Sequence, residues 1–93
     1  MNTNTNTSND LFFGVFRRNG IRLISMVDGT VHFPWTNSDI DFIAFTSSKL
    51  AARFAANVGG EVWALTPGHD SSLVELSPDV YKVRKLAPLW AIK

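Results

Sequence analysis

Three short runs rich in apolar residues lie near the start of the chain. The runs span residues 11–18, 21–27 and 30–35, and Asn19-Gly20 and Asp28-Gly29 separate them. Asn-Gly and Asp-Gly are the dipeptides best suited to two-residue type I′ turns, because both central residues adopt positive φ. The pattern therefore predicts a three-stranded antiparallel meander.

The two turns also predict which side chains share a face of the meander. With two residues in each turn, Arg17 lies opposite Arg22, a like-charge pair that is mildly unfavourable unless an anionic group lies beside it. One face is then wholly apolar and the other is half exposed. The apolar face comprises Phe13, Val15, Ile24, Met26, Val31 and Phe33, and the half-exposed face includes Phe12, Phe16, Leu23 and His32.

The stretch from Ile43 to Leu65 changes from the period of a strand to that of a helix and back. Apolar residues recur at helical spacing from Leu50 to Val58, which indicates an amphipathic helix. Hydroxyl side chains at residues 46–48 provide N-caps, and Gly59-Gly60 ends the helix. We therefore expect one principal helix between two strands, packed on the apolar face of the meander.

The last third of the chain leaves an alternative open. Pro67-Gly68 and the polar residues 69–72 predict the longest internal loop. Residues 80–86 alternate as a strand does, although their apolar positions also fit one helical turn, and the Val and Tyr content favours the strand. Ala87-Pro88 ends either element. The whole pattern predicts an α+β domain over residues 11–93, with a mainly antiparallel sheet of about five or six strands.

Composition narrows the class of protein. Residues 1–10 form an Asn/Thr-rich tract in which only the start methionine is apolar, so we predict a disordered tail. No segment has the pattern of a secretion signal or the run of about 20 apolar residues that crosses a bilayer. The chain has no cysteine, which fits a reducing compartment. We therefore expect a cytoplasmic protein that does not enter a membrane.

Residues that could carry catalysis or hold a metal are few. The run His69-Asp70-Ser71-Ser72 has the residue types of a hydrolase triad, but triad members come from separated parts of a fold. A zinc site would have to combine His32 or His69 with scattered carboxylates, and His32 falls on the outer face of a strand. Gly59-Gly60 follows a helix, whereas a phosphate-binding turn precedes one. We expect no enzymatic activity, no cofactor and no metal.

Basic and aromatic residues supply the candidate partner-binding residues. Six of the nine Lys and Arg residues lie on the first hairpin or near the end of the chain. If the terminal strand pairs near that hairpin, they form one basic surface, suited to an acidic protein or to single-stranded nucleic acid. A Trp beside Pro34 is expected to be a partly exposed interface anchor. The candidate residues are Arg17, Arg18, Arg22, Trp35, Lys82, Arg84 and Lys85.

The central strand-helix-strand segment resembles a pattern common in small bacterial and phage accessory proteins. The residues that carry this resemblance are Phe45-Thr46-Ser47, Ala51, Phe54, Ala55, Gly59-Gly60, Val62 and Leu65. The net charge of +1 does not by itself indicate a strongly charged partner. The sequence therefore predicts a small non-enzymatic protein-binding module, of the kind that a phage or mobile element uses to modulate or inhibit a host protein complex.

The alternative prediction is a small nucleic-acid-binding protein that uses the basic β-hairpin as its binding surface. A homodimer joined through a sheet edge is compatible with either function.

Overall fold

The computed structural model describes residues 11–32 and 41–92, and for residues 68–70 and 85–92 it describes the backbone alone. The predicted tail, residues 1–10, and the predicted loop that contains Trp35 lie outside these ranges. The elements in chain order are β1 (Phe12–Asn19), β2 (Arg22–Ser25), β3 (Val31–His32), β4 (Phe42–Phe45), α1 (Ser48–Val58), β5 (Glu61–Ser77) and β6 (Val80–Ile92).

The described strands form one antiparallel sheet in the order β3-β2-β1-β4-β6-β5, and β1 also pairs with β5. Because β4 pairs with β1 and β6, and β5 pairs with the same two strands, these four strands form a closed circuit of pairings. The strands β2 and β3 extend from the far end of β1. The sheet and the one helix of the described residues confirm the predicted α+β class.

The helix α1 has the end signals that the sequence predicts. The Ser47 side chain is the N-cap, and its Oγ accepts a hydrogen bond from the Leu50 N–H at 3.2 Å. Gly59 adopts a left-handed conformation with φ of 73°. The N–H groups of Gly59 and Gly60 both donate to the Ala55 carbonyl, at 2.9 and 3.0 Å. These bonds satisfy a carbonyl that the end of the helix would otherwise leave unpaired.

Two apolar clusters lie on opposite faces of the sheet. The cluster beneath the helix has the buried residues Val15, Phe45, Ala51, Ala55 and Val62. The other cluster, called the enclosed cluster below, has the buried residues Phe12, Phe16, Leu23, Phe42, Ala44, Leu65 and Val83. The prediction of a half-exposed face at Phe12, Phe16 and Leu23 is therefore wrong, because a sheet that closes on itself encloses one of its faces.

Both turns of the meander lie at slightly different positions from those predicted. In the first, Asn19 pairs with Arg22 across the turn Gly20-Ile21, and in the second, residues 26–29 form the loop. Gly20 has φ of 64° while Asn19 remains in the strand, as in a type II′ turn with glycine at its first central position. Each register differs from the prediction by two residues, so the described strand residues keep their predicted faces, whereas Val27, in the second loop, packs on the opposite face from the one predicted.

The long hairpin of β5 and β6 was predicted only in part. Residues 80–86 are in a strand, as the Val and Tyr content favoured. The predicted loop at residues 69–72 and the predicted stop at Ala87-Pro88 are wrong, since both lie inside strands. Pairing between β5 and β6 outweighs the turn tendency of these residues. The register of the pair shifts between Pro67 and Ser72, so the extra residues of β5 are accommodated there.

Candidate partner-binding surface

The β1–β2 hairpin extends beyond the circuit of strands. The pairing of β1 with β5 stops at Phe16, and residues 17–22 pair within the hairpin or form its turn. All of residues 17–22 are exposed, and Ile21 at the turn is 72% exposed. Burying an aliphatic side chain of this size is worth about 1.5–3 kcal/mol, a gain that Ile21 obtains only by contact with another surface.

Two arginines of the predicted site lie on one face of this hairpin. The predicted cross-strand pair of Arg17 with Arg22 is wrong, because Asn19 pairs with Arg22 and Ile24 with Arg17. Arg17 and Arg22 are instead diagonal neighbours, a relation in which residues lie about 7–8 Å apart. An open depression of about 380 Å³ is lined by Arg17, Arg18, Asn19 and Ile24. The hairpin thus presents a basic surface beside the exposed Ile21.

Arg18 points to the other face, where the first residues of β5 hold its side chain. Its Nε lies 3.1 Å from the Glu61 Oε1, and the same oxygen accepts a hydrogen bond from the Trp63 Nε1 at 2.9 Å. The Arg18 guanidinium lies over the indole ring, 5.1 Å from its centroid. Trp63 is itself half buried against the enclosed cluster. The stacking and the shared carboxylate favour this orientation of Arg18, and its side chain remains 57% exposed.

The second group of basic residues lies on β6, which pairs with β4 and β5 in the described sheet. A single basic surface was predicted on the condition that this strand pairs near the first hairpin. The described partners of β6 are β4 and β5, and the hairpin is not among them. Lys82 is exposed opposite Ile43. The Arg84 Nε lies 2.6 Å from the Asp41 Oδ1, and this hydrogen bond holds the pKa of the Asp41 carboxyl below its ordinary value. The two basic groups therefore occupy separate strand pairs.

Several predicted residues fall where the side chain is not described. Trp35 lies outside the described residues, and Lys85 belongs to β6 with only its backbone described. The same holds for His69 and Asp70 in β5. Their predicted roles stay predictions. Among the side chains that are described, no group of three His, Cys, Asp or Glu residues could hold a metal ion.

His32 is buried, which contradicts its prediction as a surface histidine. It is 5% exposed, and its ring lies edge to face with the rings of Phe16 and Phe42. Its Nε2 lies 3.1 Å from the Thr30 Oγ1, and that hydroxyl donates to the Asp28 Oδ1 at 2.9 Å. Burial lowers the pKa of His32, and the negative charge of Asp28 opposes this effect. These contacts join the second loop to the enclosed cluster and give His32 a structural role.

Three features of the surface were not predicted from the sequence. The exposed Ile21 follows directly after the predicted turn, and its position next to Gly20 was the available signal. The Glu61 and Trp63 contacts with Arg18 depend on pairing between distant strands, for which the sequence has no local signal. The second half of β5 carries exposed apolar side chains at Leu73, Val74 and Leu76.

Comparisons with protein-family models, with curated proteins and with solved structures find no match to this chain. No helix among the described residues is long and apolar enough to cross a membrane. The described residues define an α+β domain in which one helix packs on the sheet and a basic hairpin carries an exposed isoleucine.

Proposed function

We propose that this chain is a non-enzymatic protein-binding module that contacts its partner through the tip of the β1–β2 hairpin. Ile21 is the apolar anchor, and Arg17, Arg18 and Arg22 surround it in sequence. The partner is a protein with an apolar pocket bordered by carboxylates. The observation that carries the proposal is the 72% exposure of Ile21 at a turn with arginines on both sides.

The composition of the hairpin supports an acidic protein as the partner. Interfaces combine an apolar centre with a polar rim, and arginine is enriched in the residues that contribute most to binding. Every basic residue from Arg17 to Arg22 is arginine and none is lysine. The planar guanidinium makes two parallel hydrogen bonds to a carboxylate, which a lysine ammonium does not. This preference favours specific recognition over general attraction.

The contacts of Arg18 lower the cost of binding. A long side chain loses about 0.5–1.5 kcal/mol of conformational freedom when an interface immobilises it. Glu61 and Trp63 already contact Arg18 in the free chain and favour one of its orientations. Exposure of the Arg18 side chain leaves part of the guanidinium accessible to a second carboxylate.

Nucleic acid is the alternative ligand, and its prediction rests on the same arginines. The two basic groups lie on separate strand pairs, so they do not form one continuous basic surface along a phosphate backbone. The narrower expectations, a modulator of a host complex from a phage or mobile element and a cytoplasmic location, stay predictions.

The proposal is tested with a captured partner and matched variants. The chain is immobilised, proteins are captured from a lysate of the source cells, and the purified partner is titrated against each variant by calorimetry. Ile21→Ser should weaken binding by at least about tenfold, which corresponds to about 1.4 kcal/mol, because the anchor contact is lost. Arg17→Glu with Arg22→Glu should weaken it further through like-charge repulsion with the carboxylates.

Matched controls separate the hairpin from general surface charge. Lys49→Glu with Arg53→Glu reverses the same number of charges at exposed positions of α1, and Leu76→Ser removes an exposed apolar side chain elsewhere. Both controls should bind as the wild type does. Equal binding by the hairpin variants and the wild type, or a capture that yields only partners insensitive to the hairpin, would refute the proposal. A steep loss of affinity for DNA or RNA with added salt would favour the alternative.

A further inference from the structure

The second half of β5 has one edge without a strand partner among the described residues. Residues 72–77 pair with β6 on one side, whereas the pairing with β1 on the other side stops at Leu65. All of residues 72–77 are exposed. The exposed fractions of Leu73, Val74 and Leu76 are 40%, 51% and 52%. An edge of this kind presents backbone N–H and C=O groups that another strand can pair with.

Apart from the register shift between Glu75 and Ser77, this edge has few of the features that discourage pairing. Natural edge strands carry lysine, proline or inward-pointing charges, or they are very short. Residues 72–77 read Ser-Leu-Val-Glu-Leu-Ser, so Glu75 is their only charged residue and none of them is proline. Alternation places Leu73 and Glu75 on one face and Val74 on the other. Apolar surface is therefore available on both faces of the strand.

We propose that the edge formed by residues 72–77 pairs with the same edge of a second copy of this chain. Antiparallel pairing of two identical strands requires a two-fold axis perpendicular to the sheet, so that each face of one copy continues into the same face of the other. With Val74 on the axis, the two Val74 side chains face each other, and Leu73 of each copy lies opposite Glu75 of the other.

Charge and length select this register over its neighbours. Placing Glu75 on the axis sets two carboxylates directly opposite each other, which is unfavourable. Placing Leu73 on the axis leaves fewer of residues 72–77 within the shared ladder. The register centred on Val74 avoids the like-charge contact and keeps most of the edge paired.

The sheet closes after two copies. Among the described strands the opposite edge is β3, which is a different strand and does not contain residues 72–77. Because the long edge is used once in each copy, a third chain finds no equivalent edge to join. The result is a closed dimer that leaves both β1–β2 hairpins outside the contact.

The mass of the full chain across a dilution series tests this proposal. Sedimentation equilibrium should show a species of twice the 10.3 kDa chain mass that dissociates on dilution. Val74→Lys should raise the dimer dissociation constant by at least about tenfold, because two ammonium groups then meet at the axis. Val31→Lys is the control, since Val31 is an exposed apolar residue on the opposite edge, and it should leave the dimer intact.

Cysteine substitution tests the register, because the chain has no cysteine of its own. With oxidised glutathione added as the thiol oxidant, Val74→Cys should form a disulfide-linked dimer across the axis, and reduced glutathione is released. Leu76→Cys should not, because the two Leu76 positions lie four residues apart along the ladder, about 13 Å, and a disulfide requires Cα atoms within about 7 Å.

Three outcomes would overturn the proposal. The first is a monomer throughout the dilution series. Hydrogen exchange would then show whether the amides of residues 72–77 are exposed, covered by another segment of the same chain, or protected only when a captured partner is bound, and each of these results is incompatible with the dimer. The second is an unchanged dimer in the Val74→Lys variant. The third is disulfide formation by Leu76→Cys as efficient as that by Val74→Cys.

Discussion

Both halves of β5 contain several apolar residues, but the two halves lie in opposite environments. In the first half, residues 61–65 lie between β1 and β6, and Leu65 is fully buried. In the second half, residues 72–77 pair with β6 alone, and Leu76 is 52% exposed. The same residue type is therefore core in one half and surface in the other. The number of neighbouring strands, more than the residue type, decides the role of each half.

The strand β1 repeats this contrast within a shorter length. Phe12 and Phe16 are buried where β1 has neighbours on both edges, whereas Arg17, Arg18 and Asn19 are exposed where it pairs with β2 alone. Regions with two neighbours hold the fold together, and regions with one neighbour remain accessible to partners. Substitutions in regions with two neighbouring strands should change stability, and substitutions in regions with one neighbouring strand should change association.

The largest expected effect compares the two halves of β5 directly. Leu65→Ala should destabilise the fold by about 2–5 kcal/mol, because it removes a fully buried side chain and leaves a cavity in the enclosed cluster. Leu76→Ala should change stability by less than about 0.5 kcal/mol, because that side chain is exposed. Urea unfolding at a chain concentration below dimer formation measures both. Similar losses in the two variants would contradict the division of β5 into core and surface.

A smaller effect is expected at Gly60, where the chain leaves the helix and passes close to β1. A Cβ added there would lie 2.8 Å from the Val15 Cγ1 and 3.2 Å from the Phe16 carbonyl oxygen. Gly60→Ala should therefore cost about 1–3 kcal/mol through overpacking. Ser72→Ala, a change of similar size at an exposed position, is the control and should be close to neutral. A neutral Gly60→Ala variant would mean that the helix end is less tightly packed than described.

Local signals in the sequence were sufficient for the helix and for the existence of the strands. Ser47 and Gly59 act within one turn of the helix, so their roles could be predicted without knowledge of the rest of the fold. Asn19-Gly20 indicated a hairpin but not which two residues form its turn. The strand continues through Asn19, and the turn uses Gly20 and Ile21. The two-residue displacement altered which residues pair but not which face they occupy.

Features that depend on distant strands could not be predicted in this way. The alternation of β1 gives two apolar-containing faces, and nothing in β1 itself says that the Phe12 and Phe16 face is the more enclosed one. That outcome requires β4 and β5 to pair on either side of β1. Of the candidate site, the arginines of the hairpin were predicted from composition, whereas the Trp63 contact with Arg18 arises only when β5 lies beside β1.

The smallest expected effect is a dependence of stability on pH that originates in the enclosed cluster. Burial lowers the pKa of His32 below its ordinary value of 6.5, and the charge of Asp28 limits the size of this change. The unfolded chain therefore binds a proton before the folded chain does as the pH falls. The contribution of His32 to stability is complete above pH 6.5 and is lost as the pH falls through the lowered pKa.

The measurement is a series of urea midpoints from about pH 8 to about pH 5, the range in which histidine titrates. His32→Gln cannot be protonated in this range, and its midpoint should vary less with pH than that of the wild type. Asp41→Asn is the control, because it removes an acidic group that does not titrate between about pH 8 and about pH 5. The pKa of Asp41 is lowered from 3.8, so its contribution is present above pH 3.8 and is lost only below it. A buried histidine with a lowered pKa destabilises the fold when it is protonated, so the wild-type midpoint should fall towards about pH 5. A constant wild-type midpoint, or the same dependence of midpoint on pH in wild type and His32→Gln, would show that His32 does not couple folding to pH.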